Sequence, residues 1–309
     1  MTGGVASNIF FMFVEAIDKI SKYTRPLMTI IRTYGGETLE AGAATIFFVN
    51  DEGCAITCKH VAQNLYIKAL NEKYKEFKTE KEALGISAKK YNKRLRDLEV
   101  SYGYKKGVPI EASNRFQDCV ENLEFEEIKF HDTEDLAYIK FKNYGKLYYS
   151  GHAIFLEDET KIKQGKSLCR IGYPFPEFSN FKLNSDRDEI EWTNDPPSLP
   201  TFPIDGILTR LVSTNGVEIT GIEMSTPGLR GQSGGPLFDS EGIIYGMQSQ
   251  TMHLHLGFDV KDYPVKENGA IKKVSDSAFL HVGRCVHVGV IKQFLKENNI
   301  QFSVQSQKE

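Results

Sequence analysis

Nowhere does the sequence run to the roughly 20 consecutive apolar residues that a membrane helix requires. Its nearest candidate, Ile9 to Val14, is short and is followed by Glu15 and Asp18. That stretch also lacks a basic leader and a small-residue cleavage site, so no secretory signal is read there. A surplus of one charge is missing too. With 38 Lys and Arg against 41 Asp and Glu the net charge is −3, which argues against a general nucleic-acid binder. Cysteine is scarce: Cys54, Cys58, Cys119, Cys169 and Cys285 are odd in number and scattered, unlike a disulfide framework. Reduced thiols in a cytoplasmic compartment are the expectation. Cys54, Cys58 and His60 have a superficial metal spacing, but strand geometry scatters such side chains, so no metal site is expected. No organic cofactor is implied either.

What remains is an ordinary soluble composition, 40% hydrophobic and 26% charged over 309 residues, enough for one large domain or two small ones. Apolar residues at Phe10, Phe13, Val14, Ile17 and Ile20 keep a helical period, which predicts an N-terminal helix over 8–23, ended by Pro26. Short β-branched or aromatic runs follow at Met28 to Thr33, Ala43 to Val49 and Cys54 to Thr57, punctuated by turns such as Gly35-Gly36. From Asn64 to Leu98 the composition turns long-chained and helical. Gly85 breaks the run, and Ser87 is a candidate cap for a second helix. Residues 63–108 carry 12 Lys and Arg against 6 Asp and Glu, a local surplus of +6. A helical hairpin inserted into a β scaffold is predicted there.

Strands return at Glu127 to Phe130, Leu136 to Phe141, Ala153 to Leu156, Ser167 to Ile171, Gly206 to Val212, Val217 to Met224 and Gly242 to Gln248. The polar, Pro-rich stretch between Pro174 and Pro203 reads as a long surface loop, and Val288 to Glu297 as a closing helix. Many short strands with no βαβ alternation point to barrels or sandwiches. The organisation expected is an N-terminal helix over 1–25 and a first β unit over 26–150 holding the insertion. A second β unit with the closing helix covers 151–298, and a tail 299–309.

The sharpest local signal is Gly231-Gln232-Ser233-Gly234-Gly235-Pro236. Glycines on both sides of a serine allow a tight turn and close approach of a substrate. Such a turn can aim the N–H groups of Gly231 and Ser233 at one point, where they would hold an oxyanion. The bland reading is a Ser/Gly-rich loop. A nucleophilic serine needs a base, and His60 stands out among seven histidines because it follows the strand Ala55-Ile56-Thr57. A buried structural histidine is the alternative. His253, His255, His281 and His287 carry weaker signals, the first two in a polar stretch beyond the last clear strand. The base in turn needs an acceptor. Asp135 immediately precedes an alternating strand, and Asp132, in the adjoining turn, is its competitor.

Taken in order, these segments resemble the trypsin-like serine peptidases, most closely the bacterial HtrA-type domain. Gly42 to Ala62 is similar to that family's paired strands leading to its histidine, Asp135-Leu136-Ala137 to its aspartate motif, and Gly231 to Pro236 to its serine motif. Gly165 to Pro174 resembles the start of its second barrel, and Gly242 to Ser249 the strand after its nucleophile. The resemblance implies an all-β fold of two six-stranded antiparallel β-barrels. It implies a Ser-His-Asp triad of Ser233, His60 and Asp135, and an oxyanion hole from Gly231 and Ser233. It implies a protein or peptide substrate paired as an added strand along Ser249, Gln250 and Thr251.

The likeness has departures. Gln232 stands where secreted trypsins carry an aspartate that captures a freed N-terminus, so activation by N-terminal cleavage is not expected. No PDZ-like module is expected after the catalytic region. Thr251, where many relatives have glycine, suggests a narrowed pocket for small or medium uncharged side chains. The basic insertion is a solvated hairpin or a dock for a regulatory, acidic protein. A silent pseudoprotease that binds a peptide or partner in the same cleft is the competing function.

Overall fold

In a computed structural model, residues 12–36, 38–85, 90–176, 178–193, 199–213 and 216–305 are described. The chain enters through helix α1 (Val14–Ser21), with Ala16 and Ile20 on its buried face. The predicted start of this helix at residue 8 lies outside the described residues. Its end falls before Pro26, which sits inside strand β1 (Thr24–Thr33) and pairs with Thr45. Strands β2 (Leu39–Phe48) and β3 (Cys54–Thr57) follow as antiparallel neighbours.

After β3 comes the short helix α2 (Lys59–Gln63), then the insertion helices α3 (Lys68–Ala83) and α4 (Tyr91–Tyr102). The expected hairpin is present; its suggested Ser87 cap lies outside the described residues. Tyr74 and Phe77 of α3 are buried with Tyr104 and Ile110, so the insertion has a small aromatic core of its own. Part of its basic charge is held internally, since Lys75 pairs with Glu189 and Lys78 with Asp188. Strands β4 (Pro109–Phe116), β5 (Glu124–Phe130) and β6 (Ala137–Lys142) complete a six-stranded sheet in the order β4-β1-β2-β3-β6-β5. Its pairings are antiparallel. No ladder joins the end strands β4 and β5 among the described residues.

The second sheet holds β7 (Ile154–Leu156), β8 (Ser167–Arg170), β11 (Ile204–Ser213), β12 (Ile219–Met224), β13 (Pro236–Phe238), β14 (Ile243–Glu267), β15 (Ala270–His287) and β16 (Ser303–Gln305). Six of these, β13-β8-β11-β12-β15-β14, close into a ring because β13 also pairs with β14, and every ladder in that ring is antiparallel. This is the expected six-stranded barrel. Two parallel strands, β7 and β16, extend it from β14.

Two sequence expectations fail. The stretch from Pro174 to Pro203 is not simply loop: β9 (Phe181–Asn184) and β10 (Glu189–Trp192) form a hairpin. Phe181, Ile190 and Trp192 pack on Met28, Ile30, Tyr173, Phe178 and Leu199, and these tertiary partners order a segment whose own pattern is weak. The strand starting near Gly242 does not stop at Gln248. It runs to Glu267 and pairs with β15 as a long, solvent-exposed ribbon, so His253 and His281 lie opposite each other.

The last helix, α5 (Val288–Glu297), crosses back to the first sheet, where Phe294 meets Tyr138 and His131 at ring distances of 5.6 and 5.3 Å. Helix α1 makes the reciprocal crossing: Phe13 packs edge-on against Phe238 of β13. Each buried apolar side chain of this kind contributes about 1.5–3 kcal/mol. The two crossings fix one sheet against the other, and the site lies where they face. No described helix is long and apolar enough to cross a membrane.

Candidate active site

His60 owes its position to the end of β3. Cys58 is extended, with φ −68° and ψ 145°, and its carbonyl accepts from the N–H groups of Val61 and Ala62, so the chain turns at once into α2. Thr57 pairs with Ala137, which brings the start of β6 beside that turn. Asp135 is therefore next to His60. Its Oδ1 accepts from the His60 backbone N–H at 3.0 Å, and its Oδ2 lies 2.8 Å from His60 Nδ1. A third donor, the Ser249 hydroxyl, reaches Oδ2 at 2.7 Å. The competitor Asp132 offers only its carbonyl to Lys59 Nζ.

Burial raises the Asp135 pKa, but the His60 ring, the His60 N–H and the Ser249 hydroxyl together outweigh it and bring it down to about 2. The carboxylate is charged and acceptor-only, so Nδ1 carries a proton toward it, and in the neutral imidazole Nε2 is left as the acceptor. Cys58, His60 and Asp135 also bring three potential metal-ligand atoms within 4.8 Å of one another. Ligand chemistry is unfavourable there. Desolvation, with the Asp135 charge, pushes the buried Cys58 thiol well above its ordinary pKa, and Sγ donates to the Gln248 carbonyl at 3.2 Å. A zinc site needs the thiolate. All five cysteines are buried and unpaired.

The serine turn is held from both sheets. Thr45 of β2 donates its N–H to the Ser233 carbonyl at 2.9 Å and its hydroxyl to the Gly231 carbonyl at 2.8 Å. Gly234 donates to the Gln248 carbonyl and Gln248 to the Gly235 carbonyl, each at 2.8 Å. Gly231 and Gly234 have φ of +101° and +87°, conformations costly for any side chain. A methyl group at Gly234 would lie 2.0 Å from the Thr45 carbonyl oxygen. Gln232 is fully buried, its carboxamide accepting from Leu229 N–H and donating to the Phe202 carbonyl, both at 3.0 Å. Among the described residues, no hydrogen bond occupies the N–H of Gly231 or Ser233.

The Ser233 hydroxyl donates to the Ser249 carbonyl at 3.3 Å. One residue of β14 thus touches Ser233 through its backbone and Asp135 through its side chain. The structure brings His60, Asp135, Gly231, Ser233 and Ser249 to one place. Gln250 and Thr251 continue along β14 beside it, Gln250 exposed and Thr251 donating its hydroxyl to the Gly228 carbonyl at 2.6 Å. Sequence reading missed Thr45, which lies in a strand with no local mark of its role. It also missed the side chain of Ser249, whose partner is 114 residues away.

The sequence model of the trypsin-like peptidase domain family matches residues 44–247. No curated protein sequence matches the chain. Among solved structures, one described as an HtrA-type protease, AlgW, with a tripeptide is similar at 11% identity and a TM-score of 0.45. The match covers 91% of this chain and 62% of that one, so the chain spans under two thirds of that relative's length.

Proposed function

The chain belongs to the trypsin-like peptidase family, and on that premise we propose that it is a serine endopeptidase working through His60, Asp135 and Ser233. The observation that carries this reading is Ser249, which accepts from the Ser233 hydroxyl and donates to the Asp135 carboxylate. The nucleophile and the His60–Asp135 pair therefore share one support. For the reaction the Ser233 hydroxyl leaves the Ser249 carbonyl and donates instead to His60 Nε2. His60 takes the proton as Oγ attacks the scissile carbonyl, and Asp135 stabilises the imidazolium that forms. The unoccupied N–H groups of Gly231 and Ser233 hold the oxyanion, each donor contributing about 10²–10³ in kcat. His60 then returns the proton to the leaving amine, and water releases the acyl group from Ser233 by the same route in reverse.

Gln232 supports a turn that forms without a cut N-terminus. Its carboxamide is already satisfied by Leu229 and Phe202 and carries no charge for an ammonium to pair. The substrate is a polypeptide laid along Ser249, Gln250 and Thr251 as an extra strand. The insertion helices, with the Lys and Arg that no ion pair engages among the described residues, fit an acidic regulatory protein. The test is hydrolysis of an unfolded protein by the full chain, with Ser233→Ala as control. Fragments that need Ser233 support the reading, whereas equal fragmentation by both proteins sinks it. A folded wild type that binds peptide without cutting it would favour the pseudoprotease.

A further inference from the structure

A guanidinium taken wholly out of water is costly unless an anion meets it. Arg170 of β8 is such a group, with 0% exposure. Its Nη1 donates to Gln248 Oε1, and its Nη2 to the carbonyls of Thr226 and Pro227 and the Thr226 hydroxyl. All of these acceptors are neutral, and Nε is buried with no partner. The buried acids of this sheet are engaged elsewhere, Glu223 with Arg210 and Asp239 with Lys166. Among the described residues no carboxylate forms an ion pair with Arg170.

The place of this charge matters. Thr226 and Pro227 begin the segment that runs through Gly228, Leu229 and Arg230 into Gly231 and the nucleophile. Gln248 precedes Ser249, whose carbonyl receives the Ser233 hydroxyl. Gly283 closes the third side, paired with Thr251 and donating its N–H to the Thr226 carbonyl. These three segments pack around the Arg170 side chain close to Ser233. Two glycines make room for the buried Arg170 and Gln248 side chains: a methyl at Gly283 would lie 2.0 Å from Arg170 Nη1, and one at Gly228 2.3 Å from Gln248 Nε2. The Thr251 hydroxyl ties β14 to the Gly228 carbonyl, closing the gap between these two segments. Arg230, exposed three residues before Ser233, adds positive charge near the nucleophile.

We infer that Arg170 is the specificity-determining residue of the proposed peptidase. An Asp or Glu side chain immediately N-terminal to the scissile bond passes between residues 226–228 and 249–251. There its carboxylate replaces the Gln248 carboxamide on Arg170. The exchange breaks the Thr251 bond to the Gly228 carbonyl and the three bonds of the Gln248 carboxamide, to Arg170, the Gln250 carbonyl and the Cys285 thiol, and gives the guanidinium the anionic partner that it lacks. Arg–carboxylate pairs are also frequently bidentate, two parallel N–H···O bonds in place of the single one from Nη1 to Gln248. Arg170 therefore overrides the uncharged preference that Thr251 alone suggested.

This inference rests on the peptidase reading, and its test separates the two. The full wild-type chain is treated with peptidyl phosphonate esters that differ only in the residue next to phosphorus: Asp, Glu, Ala, Leu or Lys. The expected result is inactivation at least tenfold faster with Asp or Glu than with any other, and an acid-to-neutral ratio reduced at least tenfold in Arg170→Met. Inactivation led by Ala or Leu overturns the specificity and leaves the peptidase standing. So does an Arg170→Met protein that keeps the acidic preference. If Arg170→Met does not fold, the wild-type ratios decide alone. A wild type that neither these esters nor a small fluorophosphonate modifies at Ser233 overturns both readings.

Discussion

The Ser249 hydroxyl and the His60 ring meet on the same oxygen of one carboxylate, Asp135 Oδ2, at 2.7 and 2.8 Å. His60 lies in α2, just past β3 of the first sheet, and Ser249 in β14 of the second, so Asp135 is a point at which the two halves join. Its low pKa follows from that crowding of donors, which burial alone would reverse.

Removing one donor should be measurable. Ser249→Ala is expected to raise the Asp135 pKa from about 2 and to lower kcat/KM roughly tenfold, the scale of one hydrogen bond to a charged group. Carbon-13 NMR of the carboxylate reads the first effect and peptide kinetics the second. An unmoved Asp135 titration would contradict the geometry.

Gln232 gives a second expectation. Gln232→Ala removes the acceptor of the Leu229 N–H and the donor to the Phe202 carbonyl inside a fully buried site. A loss of about 1–3 kcal/mol of stability is expected for groups left unpaired there. Reaction with a fluorophosphonate should slow at least tenfold, because the turn carrying Gly231 loses its anchor. Unchanged reactivity would show that the turn is held without it.

Gly234→Ala should be severe. The substitution combines a φ of +87° with a methyl 2.0 Å from the Thr45 carbonyl oxygen, so the turn or β2 must shift. Loss of activity with a stability cost above about 2 kcal/mol is expected. A fully active, equally stable variant, by thermal melt and turnover, would refute the close approach.

Acid stability tests the other end of the chain. Burial lowers the His287 pKa to about 4, and its Nδ1 accepts the Gly289 N–H at the start of α5, which requires the neutral ring. The unfolded chain takes up this proton first. The contribution is therefore complete above about pH 6.5 and declines as pH falls toward 4, by roughly 3 kcal/mol at most. His287→Asn keeps a capping acceptor without the titration. Urea midpoints at pH 4.5 and 7.5 should differ less in the variant than in the wild type. An equal difference in both would exclude His287 as the source.

The chemistry was legible in the sequence where it coincided with local backbone rules. Strands β2 and β3 are β-branched or aromatic runs that end in turns, so the position of His60 could be read. The glycines around Ser233 announced a turn whose φ angles only glycine adopts freely. What depends on partners far along the chain was not legible. Strands β9 and β10 show little pattern until Trp192 and Phe181 meet Met28 and Ile30 of β1. The outer part of β14 is a strand without a core, stabilised by its pairing with β15 rather than by burial. Arg170 sits in a short strand like any surface residue, and only the fold shows that it is buried between Thr226, Pro227 and Gln248. Thr45 and Ser249, ordinary strand residues, take their roles from contacts across the two sheets.

The central claim is that Ser233 is an activated nucleophile in the uncut chain. Its most direct measurement is mass spectrometry of the intact protein after treatment with a fluorophosphonate, followed by localisation of the adduct. One adduct per chain on Ser233, with none in Ser233→Ala or His60→Ala, is the predicted result. A folded, full-length wild type that stays unmodified, or an adduct that persists in Ser233→Ala, would contradict it.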